Sequence, residues 1–334
     1  MFSSGKVMSA MQGIQKRTEH PQTVIPREYD DRTFADFIGR TARRALYTEA
    51  LVSPKPGLVD QIDSGAHKDM DIELLFRSAD TLEPFFVRLC EGGIHCSTPI
   101  GTGHGPNEAF RAVRKIGIEA EQAMFEATCG VNTHKGAVFT LGLFCTAAGY
   151  LKGAISSGRI QRDGKLDPFK SPLKILDCAS EMVQGIVNRE LDTPSPGGKT
   201  AGEKLYNSFG LRGIRGEAED GFPALRRMAL PVLREGFRRM RSGDNPGGAE
   251  AVYLHVLLNL MTIVEDTNVV SRGGLEALRC MRKEAREALN LGGAYSAEGL
   301  AYLWEMNKRF IRRNISPGGC ADLLSAALFL REIQ

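Results

Sequence analysis

An all-α fold is what the sequence predicts, as a single compact multi-helix domain with its functional loops at helix ends. Three observations lead there. Apolar residues recur at three- and four-residue steps from about Phe34 onward, and no alternating apolar–polar runs separate those stretches. The non-periodic residues gather in a few loops bearing Pro and Gly.

The elements follow in order. Residues 1–32 carry charges and polar groups but no continuous apolar run, so they predict a disordered extension and no secretory signal, ahead of a helical domain over 33–334. Leu74, Leu75, Leu82, Phe85, Phe86 and Leu89 draw one apolar face behind Asp71 at an N-cap position and Glu73 in the first turn. Similar patterns predict helices over 107–125, 136–151, 172–189, 221–240, 249–266, 274–289, 297–311 and 319–333, about ten in all. The polar stretch 156–171 is the most linker-like, yet the helices beside it are too apolar to stand alone, so one domain is expected. The helix over 249–264 is apolar almost all round. It falls short of the roughly 20 residues a bilayer needs and carries His255 and Asn259, so it reads as the central buried helix and no membrane partner is expected.

Composition narrows the function. Lys and Arg exceed Asp and Glu by only 43 to 40 and are scattered, which argues against a nucleic-acid face. The seven cysteines are odd in number and never form a CxxC pair, as expected of free thiols in a reducing cytoplasm. Two motif look-alikes fail on geometry. Gly197-Gly198-Lys199-Thr200 ends like a phosphate loop but has Thr193 where the first glycine belongs. Gly101 to Pro106 puts proline where a dinucleotide fingerprint needs its third glycine.

Five loops carry the chemistry. The first, 51–60 with 65–71, packs Lys55, His67, Lys68 and the carboxylates Asp60, Asp69 and Asp71 around Pro54 and Pro56, whose fixed φ makes it stiff. Gly130 to Gly136 opens an apolar helix, where Asn132 or Thr133 can cap while free N–H groups and Lys135 face an anion; His134 lies between them. Gly213 to Glu219 brackets Arg215 with glycines and follows it with Glu217, which suits either phosphate oxygens or a structural ion pair. Asp266, Asn268 and Arg272 end the most buried helix, where unmatched charge implies a ligand or metal. Asn314 to Asp322, with Ser316, leads into the last helix through Pro-Gly-Gly. Carboxylates suited to Mg²⁺, cations and helix starts suited to phosphate, and no Cys–His metal set together describe an all-α Mg²⁺-dependent enzyme for a phosphorylated small molecule.

The runs PKPGLVD with GAHKDMD, GVNTHKG, GIRGEAEDGFP, DTNVVSRGG and NISPGGCADLL, in this order from about Arg44 to the C-terminus, resemble the triphosphoribosyl-dephospho-CoA synthase family. The resemblance implies that ATP gives up adenine and passes its 5-triphosphoribosyl group to the ribose 2′-hydroxyl of 3′-dephospho-CoA. The product is a prosthetic-group precursor, taken up by a separate loading enzyme for the acyl carrier of citrate lyase or malonate decarboxylase. The Ser271-Arg272-Gly273-Gly274 form of the fifth run leans toward citrate lyase. Such chemistry passes through an oxocarbenium-like state and needs a base, an acid and cationic cradling. On residue type, Asp69 is expected as base, His67 or His134 as donor to adenine, and Asp71 and Asp266 as Mg²⁺ ligands. Lys55, Lys135, Arg215 and Arg272 are expected around the phosphates, with Asn132, Glu217, Asn268 and Ser316 also binding substrate. An all-α N-glycosidase with water as acceptor is the rival reading, and oligomeric state is left open.

Overall fold

The computed structural model describes residues 29–98, 105–160, 169, 171–192, 201–243 and 247–333. Twelve α-helices and no strand occur among them. They are α1 (Asp31–Leu51), α2 (Ile72–Ser97), α3 (Pro106–Ala127), α4 (Lys135–Ser156), α5 (Pro172–Val183), α6 (Ala201–Phe209), α7 (Gly213–Glu219), α8 (Leu230–Arg241), α9 (Gly248–Ile263), α10 (Thr267–Asn290), α11 (Ala297–Arg312) and α12 (Gly318–Glu332). Residues 1–28, which hold most of the expected extension, lie outside the described residues. The first helix begins at Asp31, inside that expected stretch, because Asp30 accepts from the Thr33 N–H at 2.7 Å and so fixes an N-cap.

Helix α4 runs through the middle, packed on α1, α2, α3, α5 and α12. Its Phe144 ring meets Phe222 edge-on at 4.9 Å and Phe329 at 6.3 Å, so the C-terminal helix closes over the same core. Among the described residues α4 is the one helix long and apolar enough to cross a membrane, but 78% of its apolar window is buried inside the protein. Helix α9, expected as the central element, is also buried and packs on α8, α10 and α12.

The α2–α4 crossing brings two backbones together. A Cβ on Gly93 would collide with the Thr146 carbonyl oxygen, and one on Gly149 with the Cys90 carbonyl oxygen. Gly149→Ala is therefore expected to push the helices apart and cost about 1–3 kcal/mol, read from urea melts monitored by circular dichroism. A melt like that of the wild type would show that the crossing can slide.

The all-α expectation holds, with several boundaries moved. The helix expected over 172–189 stops at Val183, since Gly185 turns the chain at φ 76°, and a π turn follows at Asn188–Asp192. Another π turn, Leu225–Ala229, interrupts the segment expected over 221–240. Asp266 does not end a helix. The chain leaves α9 at Ile263, and Asp266 caps α10, which starts at Thr267 and kinks at Gly274 (φ 68°) instead of beginning there. Helices α6 and α7 were not expected, being too short to show periodicity, and α7 turns the presumed Gly213–Glu219 loop into helix. The phosphate-loop look-alike at 197–200 and most of the linker-like stretch after 160 lie outside the described residues, as does 101–104 of the other look-alike, while Gly105 and Pro106 start α3.

Candidate active site

Four of the five loops meet where α4, α10 and α12 begin, and the meeting is enforced by missing side chains. A Cβ on Gly136, in the first turn of α4, would collide with the Asp322 carboxylate of α12. One on Gly319 would sit 3.1 Å from Asp266 Oδ2, and one on Gly318 2.6 Å from Asn268 Nδ2. Gly57 of the first loop has φ 75°, and a Cβ there would strike the Ile315 carbonyl oxygen. The Gly213–Glu219 stretch touches the same place through Gly213, whose Cβ would lie 3.0 Å from Thr267 Cγ2.

The first loop is a plug and not an exposed lip, since residues 54–60 are all buried. Asp60 holds it together by accepting from the N–H groups of Lys55, Ile62 and Asp63 at 2.9, 2.7 and 3.2 Å. Asn307 of α11 pins it, accepting from Gly57 N–H at 2.8 Å and donating to Asp63 at 2.9 Å. Lys55, expected beside phosphates, is 1% exposed and its ammonium donates to the Glu49 carboxylate and the Glu49 carbonyl at 2.5 and 2.7 Å. Burial of Glu49 forces that arrangement, because a lone carboxylate there would be uncompensated.

Above the plug, His67, Arg272, Ser316 and Asn314 form a stitched group. Arg272 donates to the Ala66 carbonyl at 2.9 Å, to Asn314 Oδ1 at 3.1 Å and to His67 Nδ1 at 3.1 Å. A guanidinium only donates, so Nδ1 accepts, the proton sits on Nε2, and His67 donates to Ser316 Oγ at 2.7 Å. Burial first, then the Arg272 charge, hold His67 down at about 4. Burial and the Lys55 charge take His134 to about 3. Both rings are held neutral at pH 7, so each can donate only through its one N–H, which in His67 is already given to Ser316. Asp69, the expected base, is 62% exposed and 3.7 Å from His67.

The two expected metal ligands are helix caps. Asp71 Oδ1 accepts from Leu74 N–H at 2.8 Å at the start of α2. Asp266, 1% exposed, accepts from Asn268 and Val269 N–H at 3.0 and 3.1 Å and from Cys320 N–H at 2.9 Å, so one carboxylate ties the starts of α10 and α12. Three N–H donors occupy most of its lone pairs, and a capping role is the one this geometry displays. Among the described residues no three His, Cys, Asp or Glu side chains converge as a metal cage.

The remaining expected contacts are spread around this centre. Asn132 accepts from Lys135 N–H at 3.3 Å, while Thr133 bonds Ser78 instead of capping. Lys135 pairs with Glu121 at 2.5 Å. Arg215 pairs with Glu190 at 2.7 Å, and Arg114 with the same carboxylate at 2.5 Å, which is the structural alternative for that arginine. Glu217 accepts from Ala224 N–H at 2.6 Å, and burial raises it to about 7. Asn268 is exposed, whereas Ser316 is buried beneath His67.

Sequence reading passed over Glu49, Ser78 and Asn307, and gave no individual role to Asp60 or Asp322. A signal existed for the last: Asp322 is the one charged residue in 320–330, a run otherwise apolar apart from Ser325.

A helical body that brings three helix starts, an arginine and a set of buried carboxylates to one place defines an enzyme for a polyanionic substrate. The model of the CitG family, ATP:dephospho-CoA triphosphoribosyl transferase, matches residues 35–334. The chain belongs to that family and is a transferase acting on ATP and dephospho-CoA. No solved structure matches it.

Proposed function

We propose that the three helix starts cradle the phosphates of ATP and dephospho-CoA, with Arg272 and Lys135 as the cations at the rim. The observation that carries this is the convergence of α4, α10 and α12, whose positive dipole ends favour anions. Arg272 is half-buried and already oriented by Ala66 and Asn314, so it loses little freedom on meeting a phosphate.

A magnesium ion fits the donor chemistry as a partner of the triphosphate. Mg²⁺ takes one or two carboxylates and completes its shell with phosphate oxygens and water, so the lack of a cage among the described residues is compatible with it. Asp71, exposed and capping through Oδ1 alone, is the residue that would hold it. Bound there, the ion would neutralise triphosphate charge. His67 and Ser316 keep Arg272 in place, and the buried plug excludes water from below.

The product serves as the prosthetic-group precursor of citrate lyase, a reading supported by the Ser271-Arg272-Gly273-Gly274 run, with malonate decarboxylase as the sister system. The enzyme works in the cytoplasm and hands its product to a separate loading enzyme. Incubation with ATP, Mg²⁺ and dephospho-CoA, followed by mass spectrometry, is expected to give adenine and triphosphoribosyl-dephospho-CoA in equal amounts. ADP or AMP without adenine would overturn the reading. Adenine released without dephospho-CoA would turn it into an N-glycosidase.

A further inference from the structure

We propose that Asp322 is the carboxylate that takes the proton from the attacking ribose 2′-hydroxyl, an inference that rests on the transferase reading of this site. The buried acidic neighbours are each matched. Glu49 has Lys55, Asp60 has three backbone N–H groups, and Asp266 has three. Against Asp322 stands the Ala137 N–H of the first turn of α4. As a residue Asp322 is less completely covered than Glu49, Asp60 and Asp266, although its carboxyl group is itself buried. A carboxylate that is closely surrounded and weakly matched lies where the starts of α4 and α12 meet.

Gly136 makes the room. The Asp322 carboxylate occupies the position a Cβ would take, so α4 can start against it only with glycine there. The groups facing Asp322 are Asp266 from the start of α10 and Glu49 from α1, the latter held by Lys55. Burial, then Asp266, then Glu49 keep Asp322 well above the usual carboxylate range, which makes it a stronger proton acceptor once ionised. One further polar atom is left over nearby. His134 is 5% exposed, its Nδ1 meets Ser78 at 2.8 Å, its ring lies within reach of the Lys55 charge, and its Nε2 is buried without a partner. An unsatisfied buried nitrogen is costly in the free protein and is accounted for if a bound molecule completes it.

The step balances. The ribose O2′ of dephospho-CoA forms a bond to C1′ of the ATP ribose as the C1′–N9 bond breaks. Adenine leaves with that electron pair and takes a proton from water. The hydroxyl proton passes to Asp322 and then to solvent.

The test compares wild type, Asp322→Asn, Glu217→Gln and Gly136→Ala, because burial also raises Glu217, to about 7. Readouts are adenine release against pH, calorimetric Mg²⁺-ATP binding and melting temperature. Asp322→Asn is expected to lower kcat by about 10²–10⁴-fold, keep Mg²⁺-ATP affinity and abolish the acid limb of the kcat/KM profile. Its melting temperature at pH 8 should equal or exceed the wild type's. A folded pKa raised above the unfolded value means stability is lost as pH rises through it, so neutralising the group removes that loss. Gly136→Ala should displace the carboxylate and lower kcat, which keeps the test alive if Asp322→Asn fails to fold. An acid limb that survives in Asp322→Asn, or vanishes only in Glu217→Gln, overturns the inference. So does loss of Mg²⁺-ATP binding by Asp322→Asn, or full kcat in Gly136→Ala. Wild-type protein that releases no adenine overturns the transferase reading, and the inference with it.

Discussion

Lys55→Met is expected to cost about 3–5 kcal/mol, a large share of the roughly 5–15 kcal/mol that holds a domain folded. Lys55 and Glu49 are 1% and 5% exposed, and the ammonium donates twice to Glu49. Removing one partner strands the other in the core. Glu49 is already pushed up by burial, with Lys55 the main influence holding it down. In the variant that restraint is gone and Glu49 rises further, so the deficit should be fullest at high pH and shrink as acid protonates it. Adding Glu49→Gln should recover much of the loss, because a neutral pair costs less to bury than a lone charge. Urea melts of both variants at pH 5 and pH 8 check this. A Lys55→Met melt matching the wild type at pH 8 would mean that water reaches Glu49.

The same pair shows what the sequence could tell and where it stopped. Periodicity located nearly every long helix, since an apolar face at three- and four-residue steps is a local property of the chain. The loops around Lys55, Asn132, Asp266, Arg272 and Ser316 were legible as a set, and the glycines among them do bring helix starts together. What each side chain does was not legible. Whether Lys55 faces a phosphate or Glu49 depends on a contact with a helix preceding the loop, and neither proline says which. Asp266 looked like a stranded charge at the end of one helix. The N–H groups that occupy it come from the next helix and from a residue 54 positions away, and a single-helix view cannot see them. Asp322 was hidden in the opposite sense. It stands four residues into an apolar helix, and its importance comes from the space left by Gly136 on another element.

Asp266 offers the sharpest separation of scaffold from chemistry. Asp266→Ala should cost about 2–4 kcal/mol, because it removes the acceptor for three N–H groups at the starts of α10 and α12 and leaves buried donors unpaired. Asp266→Asn is gentler and more informative. An amide oxygen in the Oδ1 position still caps Asn268 and Val269, but the NH₂ then meets the Cys320 N–H, donor against donor. Stability should fall by about 1–3 kcal/mol while Mg²⁺-ATP affinity stays near that of the wild type. A metal ligand would behave in the opposite way, melting normally and losing Mg²⁺-ATP, and calorimetry beside a melting curve distinguishes the two. The rate profile adds a finer mark. After burial itself, Asp266 is the strongest influence holding Asp322 up, so its neutralisation favours ionised Asp322. The acid limb of adenine release should therefore move to lower pH in Asp266→Asn. A limb that stays in place, in a variant that has lost the cap bond, would separate Asp322 from the proton transfer and leave both carboxylates as scaffold.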